Sequence, residues 1–529
     1  MSRPGRGRRT TPSIVGLLVV TGLVAASCSS GSKTAAPPST SAAAPTSSTQ
    51  ASAAAPATGR PNIVFILTDD LSWNLITPEI APHIVQLEKQ GETFDHYFVS
   101  DSLCCPSRST MFTGLFPHDT KVATNLPPNG GFQKFQSQGL DSRTFAVALH
   151  RAGYATSLLG KYLNGYGDPM NTTTAPVPPG WTDWHVSNST GYAEYNFLLN
   201  DNGTFNRYRG ASNYGVDVLN SDAQSFIGKS AGKPFAVEVA TFAPHAPYTP
   251  ARRNANDFPG LKEPRDPSFN AATVNPPAWL GQRRPLGPRQ VARIDASYRK
   301  RAQAVESVDK LLADTEATLA AHHLSDNTYI VFTSDNGYHL GQHRLARGKQ
   351  TAFDTDIRVP LIVAGPGVPK GKVLSQVLQN VDLYPTFVQL AGATPANPVE
   401  GHSIVPLLHP AASPPAWRTV ALVEHHGLND NPADPDFEGG GSNPTSYQAI
   451  RISAKQLPGF SGPVEAVYVE YQDPQHEIEY YDIDKDPYEL RNIAPQLTSA
   501  QKTELHTIVT GLAGCHTAGA CWSAGQPAG

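Results

Sequence analysis

Cys104-Cys105-Pro106-Ser107-Arg108 places a sulfur nucleophile, a helix-starting proline, a hydroxyl and a fixed cation within five residues. Pro106 suits the first turn of a helix, where a missing N–H costs nothing. Cys104 then stands just before a helix N-terminus, where free N–H groups and the dipole favour an anion. Arg108 can hold an oxygen of a group formed there. Two polar pairs elsewhere, Asp69-Asp70 and Asp335-Asn336, offer four side-chain oxygen donors, which suit a hard cation such as calcium or magnesium. Each feature has an ordinary alternative. Cys104 and Cys105 can be buried thiols, Asp69-Asp70 a solvated turn or helix cap, and Asp335-Asn336 an Asx turn before Gly337.

The elements around these residues bring them together. Asn62 to Thr68 is a continuous apolar run ending in Asp69-Asp70, and it predicts a strand buried on both faces. Phe235–Thr241 and Thr328–Thr333 are similar, the second leading into Ser334-Asp335-Asn336-Gly337, and Pro360–Ala364 is another. Helical periodicity separates them, longest from about 288 to 322. The alternation predicts an α/β fold with a largely parallel sheet, whose ligands bind at the carboxyl ends of the strands. Both acidic pairs fall there. After about residue 410, short strands at Thr419–Glu424, Ala449–Ile452, Ala466–Val469 and Glu479–Ile483 predict a smaller antiparallel sheet, with a terminal helix near Ser499–Leu512.

Cys104, Pro106, Ser107 and Arg108 resemble the C-x-P-S-R signature of the sulfatase family. Further strings fit the same family in order: Gly160-Lys161-Tyr162-Leu163-Asn164-Gly165-Tyr166, Pro244-His245-Ala246-Pro247, Asp335-Asn336-Gly337-Tyr338-His339-Leu340-Gly341-Gln342 before Lys349, and Tyr481-Asp482 through Arg491-Asn492. The resemblance runs from about residue 60 to 495 and is nearest the N-acetylglucosamine-6-sulfatase branch. It implies an alkaline-phosphatase-like fold, a large mostly parallel sheet sandwiched by helices with a smaller C-terminal antiparallel subdomain. It also implies hydrolysis of sulfate esters of a sugar or aryl alcohol. Cys104 would be oxidised to formylglycine by a formylglycine-generating enzyme. Asp69, Asp70, Asp335, Asn336 and the modified Cys104 would hold Ca2+, with Mg2+ the alternative. Arg108, Lys161, His245 and Lys349 would be active-site groups. One position departs: many sulfatases carry His two residues after the first lysine, where Leu163 stands here.

Two alternatives remain open on sequence alone. One is a phosphonate monoester or phosphodiester hydrolase of the same superfold, because sulfate and phosphate esters share tetrahedral geometry. The other is an inactive surface protein that binds sulfated glycans.

The 529-residue chain is 39% hydrophobic and carries a formal charge of −4, which argues for a globular core and against nucleic acid as a partner. Arg3, Arg6, Arg8 and Arg9 precede the apolar stretch Ile14–Val24, too short for a bilayer, and predict an export signal. Ala25-Ala26-Ser27 before Cys28 resembles a bacterial lipoprotein site, so a lipid on Cys28 would be the one membrane contact; plain cleavage and secretion is the alternative. The expected organisation is a signal over 1–28, a Ser/Ala/Thr/Pro tether over 29–59, a catalytic domain over 60–409 and a C-terminal subdomain and tail over 410–529. Cys515 and Cys521 suit a disulfide in an oxidising compartment, with a metal site beside His516 as the alternative. Residues 165–215 and 250–290 read as loops at the mouth of the site. Trp181, Trp184 and Tyr192 are candidate sugar platforms or core residues, and His425, His426 and the Gly-rich 427–443 loop could reach the site. Asn171, Asn188 and Asn202 head glycosylation sequons.

Overall fold

In the Asn62–Thr68 strand, Ile63, Phe65 and Leu67 enter one apolar cluster, while Val64 and Ile66 enter another. Successive side chains of a strand point to opposite faces, so this strand lies at the centre of a sheet covered on both sides. The computed structural model describes residues 59–169, 173–409, 415–426, 434, 436 and 444–527. The export segment with Cys28, residues 29–58 of the tether, Asn171 and all of the 427–443 loop except Asp434 and Asp436 lie outside the described residues.

Twelve strands belong to the larger half of the fold. They are β1 (Asn62–Thr68), β2 (Glu92–Phe94), β3 (Tyr97–Phe98), β4 (Ala155–Lys161), β5 (Asp183–Ser187), β6 (Leu198–Asp201), β7 (Thr204–Arg207), β8 (Phe235–Ala240), β9 (Thr328–Ser334), β10 (Leu361–Ala364), β11 (Lys372–Leu374) and β12 (Leu378–Gln379). β3 and β12 pair only with each other. The other ten form one sheet in the order β11-β2-β10-β9-β1-β8-β4-β5-β6-β7. Its centre, β9-β1-β8-β4-β5, is wholly parallel. Antiparallel pairing enters at β10 on one side and at β6 and β7 on the other.

The parallel centre aligns four carboxyl ends on one edge. β1 ends before Asp69, β4 at Lys161, β8 before Thr241, and β9 before Asp335. One face is covered by the Pro288–Ala321 helix, which buries Ile294, Tyr298, Val305, Val308 and Leu312. The other is covered by the Cys104–Thr113, Phe145–Arg151 and Leu383–Leu390 helices through Phe112, Phe145, Leu149 and Phe387.

The smaller sheet contains β13 (Val420–His425), β14 (Tyr447–Ala454), β15 (Val464–Tyr471) and β16 (Ile478–Asp482), antiparallel throughout. Ile450 and Ile452 pack against Leu505, Ile508 and Val509 of the Ser499–Ala513 helix. Cys515 and Cys521 are joined by a disulfide, which rejects the metal reading for them.

The expected loop region 165–215 instead contains β5, β6 and β7, which widen the sheet. Asn202 and Gly203 sit between β6 and β7 with φ of 52° and 108°. Positive φ at both central residues is what a tight hairpin demands, and Asn-Gly supplies it.

Candidate active site

Cys104 is the first residue of the Cys104–Thr113 helix, every residue of which is buried. The helix begins one residue earlier than Pro106 suggested, because Leu103 is the extended capping residue and Pro106 falls third. Leu103 offers no side-chain cap; the Cys105 N–H is taken by Asn125 Oδ1 at 2.9 Å, Pro106 has no N–H, and the Ser107 N–H bonds the Leu103 carbonyl at 3.0 Å. Gly114 ends the helix at φ 67°, the left-handed turn that favours glycine.

The Cys104 Sγ lies 3.4 Å from Asp69 Oδ1, 2.9 Å from Lys349 Nζ and 3.6 Å from Asp436 Oδ2. Lys161 Nζ pairs with Asp69 Oδ2. Lys349 Nζ also donates to Asp70 Oδ1 at 2.6 Å, and so does Asn336 Nδ2 at 2.6 Å. Arg108 Nε donates to Asp335 Oδ2 at 2.8 Å, and its Nη1 to the Lys161 carbonyl at 3.1 Å. His245 Nε2 lies 2.8 Å from Asp436 Oδ1 and 3.6 Å from Asp70 Oδ2, while its Nδ1 faces the Ala246 carbonyl at 2.7 Å. All nine residues singled out in the sequence therefore converge on one buried pocket. Strand ends deliver six of them, since Asp69 and Asp70 follow β1, Lys161 closes β4, His245 follows β8, and Asp335 and Asn336 follow β9, while the Cys104–Thr113 helix brings Cys104 and Arg108.

The backbone enforces this placement. Asp70 has φ 63°, and the buried Arg301 of the long helix donates to its carbonyl. Gly160 precedes Lys161 at φ 102°, and a Cβ there would meet the Ala240 carbonyl oxygen at 2.0 Å. Only glycine lets β4 and β8 approach closely enough to aim Lys161.

The donor set fits a hard cation. Asp70 Oδ2 and Asn336 Oδ1 are buried acceptors without a hydrogen-bond partner among the described residues, and both belong to the expected ligands. Ligand atoms of Asp69, Asp70, Cys104 and His245 lie within 4.8 Å of one another. Oxygen-rich carboxylate and amide donors of this kind match calcium or magnesium.

Burial, then Asp69, pushes the Cys104 thiol well above its ordinary value, against the pull of Lys161 and Lys349. Burial works to lift the Asp335 carboxyl, but Arg108, Lys161 and Lys349 hold it at about 2. Burial opposes charge on His245, yet Asp70, Asp69 and Asp436 raise it to about 9. Both His245 ring nitrogens face acceptors, so its favoured form carries protons on both.

Sequence reasoning does not single out Asn125, whereas Asp434 and Asp436 belong to the 427–443 loop expected to reach the site. Asn125 bonds the Cys105 N–H at 2.9 Å and Asp436 at 2.7 Å. Asp436 puts a carboxylate among Lys349, His245 and Cys104, and Asp434 lies beside it, accepting from Asn125 and from the Asp436 N–H. Tyr192, read as a sugar platform or core residue, instead stacks 5.0 Å beneath Lys161 Nζ and beside the His245 ring. Where Leu163 replaces the usual histidine, Asn164 Nδ2 donates to the Tyr192 hydroxyl at 3.1 Å. Trp181 and Trp184 are buried in the core and are not platforms. His425 and His426 pair instead with Asp101 and Glu424. A cavity of about 540 Å³ opens on Asp70, His245, Tyr338 and Asp436.

This constellation has a counterpart among known proteins. The Sulfatase family model matches residues 61–393. The chain belongs to the sulfatase family. Human N-acetylglucosamine-6-sulfatase (Homo sapiens) is 33% identical over 465 residues, covering 83% of this chain and 82% of that one. A solved protein in complex with its substrate D-glucosamine-2-N,6-O-disulfate shares the fold with TM-score 0.70 at 22% identity, over 85% of this chain and 97% of that one. A phosphonate monoester hydrolase from Silicibacter pomeroyi superposes with TM-score 0.62 at 19% identity, over 84% and 93% of the two chains. This sulfatase is thus a sulfuric ester hydrolase on a mostly parallel sheet of the alkaline-phosphatase type. Among the described residues, no helix is long and apolar enough to cross a membrane.

Proposed function

We propose that this sulfatase removes the 6-O-sulfate of an N-acetylglucosamine or a related sulfated amino sugar. We assign Asp69, Asp70, Asp335 and Asn336 as ligands of a divalent cation, calcium in preference to magnesium, and Cys104 as the residue converted to formylglycine by a generating enzyme before or during export. The observation that carries this reading is the cluster of Asp69, Asp70 and Lys349 around a buried Cys104 at the first position of a helix. The resemblance to N-acetylglucosamine-6-sulfatase supports the sugar.

When present, the cation and the oxidised side chain supply a stabilised hydroxyl nucleophile for sulfur. The chain's own residues do the rest. Lys161 and Lys349, held by Asp69 and Asp70, present two fixed ammonium groups to the sulfate oxygens, which gain charge in the transition state. Arg108 holds Asp335 in its ionised form and positions the Lys161 carbonyl. Tyr192, held by Asn164, supports the Lys161 ammonium from below. His245 carries a proton on Nε2, the nitrogen that faces the pocket, and delivers it to the departing alcohol oxygen as the S–O bond breaks. For sulfate to reach Lys349 and His245, the Asp436 carboxylate must give up its contacts with them.

The test is a panel of N-acetylglucosamine-6-sulfate, its positional isomers, aryl sulfates and matched phosphates, assayed with calcium. The 6-sulfate should give the highest kcat/KM. A higher value on the matched phosphate or phosphonate esters would overturn the sulfate preference.

A further inference from the structure

The cavity above the nucleophile is rimmed by more positive charge than one sulfate requires. Arg293, Lys300 and Arg347 line it beside His245 and Asp70. Arg293, Ser297 and Lys300 are at i, i+4 and i+7 of the Pro288–Ala321 helix, so they lie along one stripe. Arg347 Nη1 donates to Ser297 Oγ at 3.3 Å, which pins its guanidinium between the other two. At about 1.5 Å per residue the stripe is roughly 10 Å long. That is longer than a single sulfate and comparable with two linked sugar rings.

These cations are unspent. Arg293 and Lys300 are exposed and make no hydrogen bond or ion pair with any described residue, and among the described residues the only bond of Arg347 is to the neutral Ser297. Neighbouring acids are already committed. Asp295 pairs with Arg265, and the cavity's own carboxylates, Asp70 and Asp436, are held by Lys349 and approached by His245. The ordinary alternative is a solvated helix face. Against it stands the position: three like charges kept together, at a cost in mutual repulsion, on the wall of the cavity that leads to the nucleophile.

We infer that Arg293, Lys300 and Arg347 form a subsite for a second anionic group, a carboxylate or sulfate on the sugar next to the one that is desulfated. The inference rests on the sulfatase reading and extends it. The substrate is then an acidic oligosaccharide end, not a free monosaccharide. Guanidinium groups suit either anion through paired N–H donors, with Lys300 adding a mobile point charge.

The experiment uses the full, formylglycine-bearing enzyme and two disaccharides that differ in one group. Both carry 6-O-sulfo-N-acetylglucosamine; in one the neighbouring sugar has a uronic carboxylate, and in the other that carboxylate is reduced to an alcohol. The wild type should show a KM about tenfold lower for the charged disaccharide, with the gap shrinking as salt rises. Arg293→Gln/Lys300→Gln/Arg347→Gln should erase the gap while leaving kcat on a monosulfated aryl ester within about twofold, since the three stand on the outer wall of the cavity and hold none of Cys104, Lys161, His245 or Lys349 by a hydrogen bond. A replacement set of Arg293→Lys and Arg347→Lys should restore part of it. Equal KM for the two disaccharides in the wild type, or a gap that survives the triple change, would overturn the subsite. Failure to hydrolyse any sulfate ester would instead overturn the underlying assignment.

Discussion

Lys349 offers the sharpest perturbation. Its ammonium is 2% exposed and sits 2.6 Å from Asp70, 3.0 Å from Asp436 and 2.9 Å from Cys104 Sγ. Lys349→Met keeps the length and apolar stem while removing the charge. A solvated lysine would contribute less than about 1 kcal/mol, or roughly a fivefold effect. A preorganised charge in a dry pocket contributes about 2.7–4 kcal/mol to a transition state, which is 10²–10³ in kcat. Near-complete burial decides for the larger figure. The fold should survive, because Asp70 keeps its bond from Asn336. The assay is kcat and KM on N-acetylglucosamine-6-sulfate, with inhibition by inorganic sulfate measured in parallel. Expected are a kcat loss of at least about a hundredfold and weaker sulfate inhibition. A kcat within about fivefold of wild type, on protein of unchanged melting temperature, would refute the role.

Other outcomes follow from the same geometry. Cys104→Ser should give at most one turnover per site, since a serine sulfate has no second hydroxyl with which to expel the sulfate; steady hydrolysis by that variant would contradict the nucleophile assignment. Asp436→Asn removes the charge that faces Lys349 and His245, so KM and the inhibition constant for free sulfate should both fall, with kcat changing by only a few-fold; a collapse of kcat would place Asp436 in the chemistry. Glu238 lies buried in β8, its carboxyl oxygens have no hydrogen-bond partner among the described residues, and burial raises it to about 8 from 4.5. The folded state therefore holds a proton that the unfolded state has lost between those values, and stability falls as pH rises from about 4.5 to 8, by on the order of 1 kcal/mol per unit. Glu238→Gln should flatten that part of the melting-temperature profile; an unchanged slope would show that Glu238 is not its source.

The strand ends were legible because a parallel sheet buries its central strands on both faces, and the resulting apolar runs at 62–68, 235–240 and 328–334 stand out. What followed each run was therefore at the sheet's carboxyl edge, which is why Asp69, His245 and Asp335 could be placed together. β5, β6 and β7 were harder to see, being short and half-polar at the sheet margin, although Asn202-Gly203 marked their hairpin. Asn125 is invisible for another reason: it comes from an irregular segment, and nothing in its local pattern says that the chain returns to the nucleophile, whereas Asp436 belongs to the 427–443 loop expected at the site, in which no pattern picks out that one residue. Tyr192 was visible as an aromatic in a loop, but its partner, the Lys161 ammonium, is set by tertiary packing alone. The one-residue shift of the helix start to Cys104 has a simple cause: proline suits the first turn as a whole, so it fixes the turn and not the residue.

The most direct measurement correlates sulfate-ester hydrolysis with the state of residue 104. Protein produced with graded amounts of a formylglycine-generating enzyme should show, by peptide mass analysis, graded conversion of Cys104, and kcat per mole should rise in proportion and extrapolate to zero for the unconverted thiol. Full activity from protein whose residue 104 remains cysteine would contradict the account.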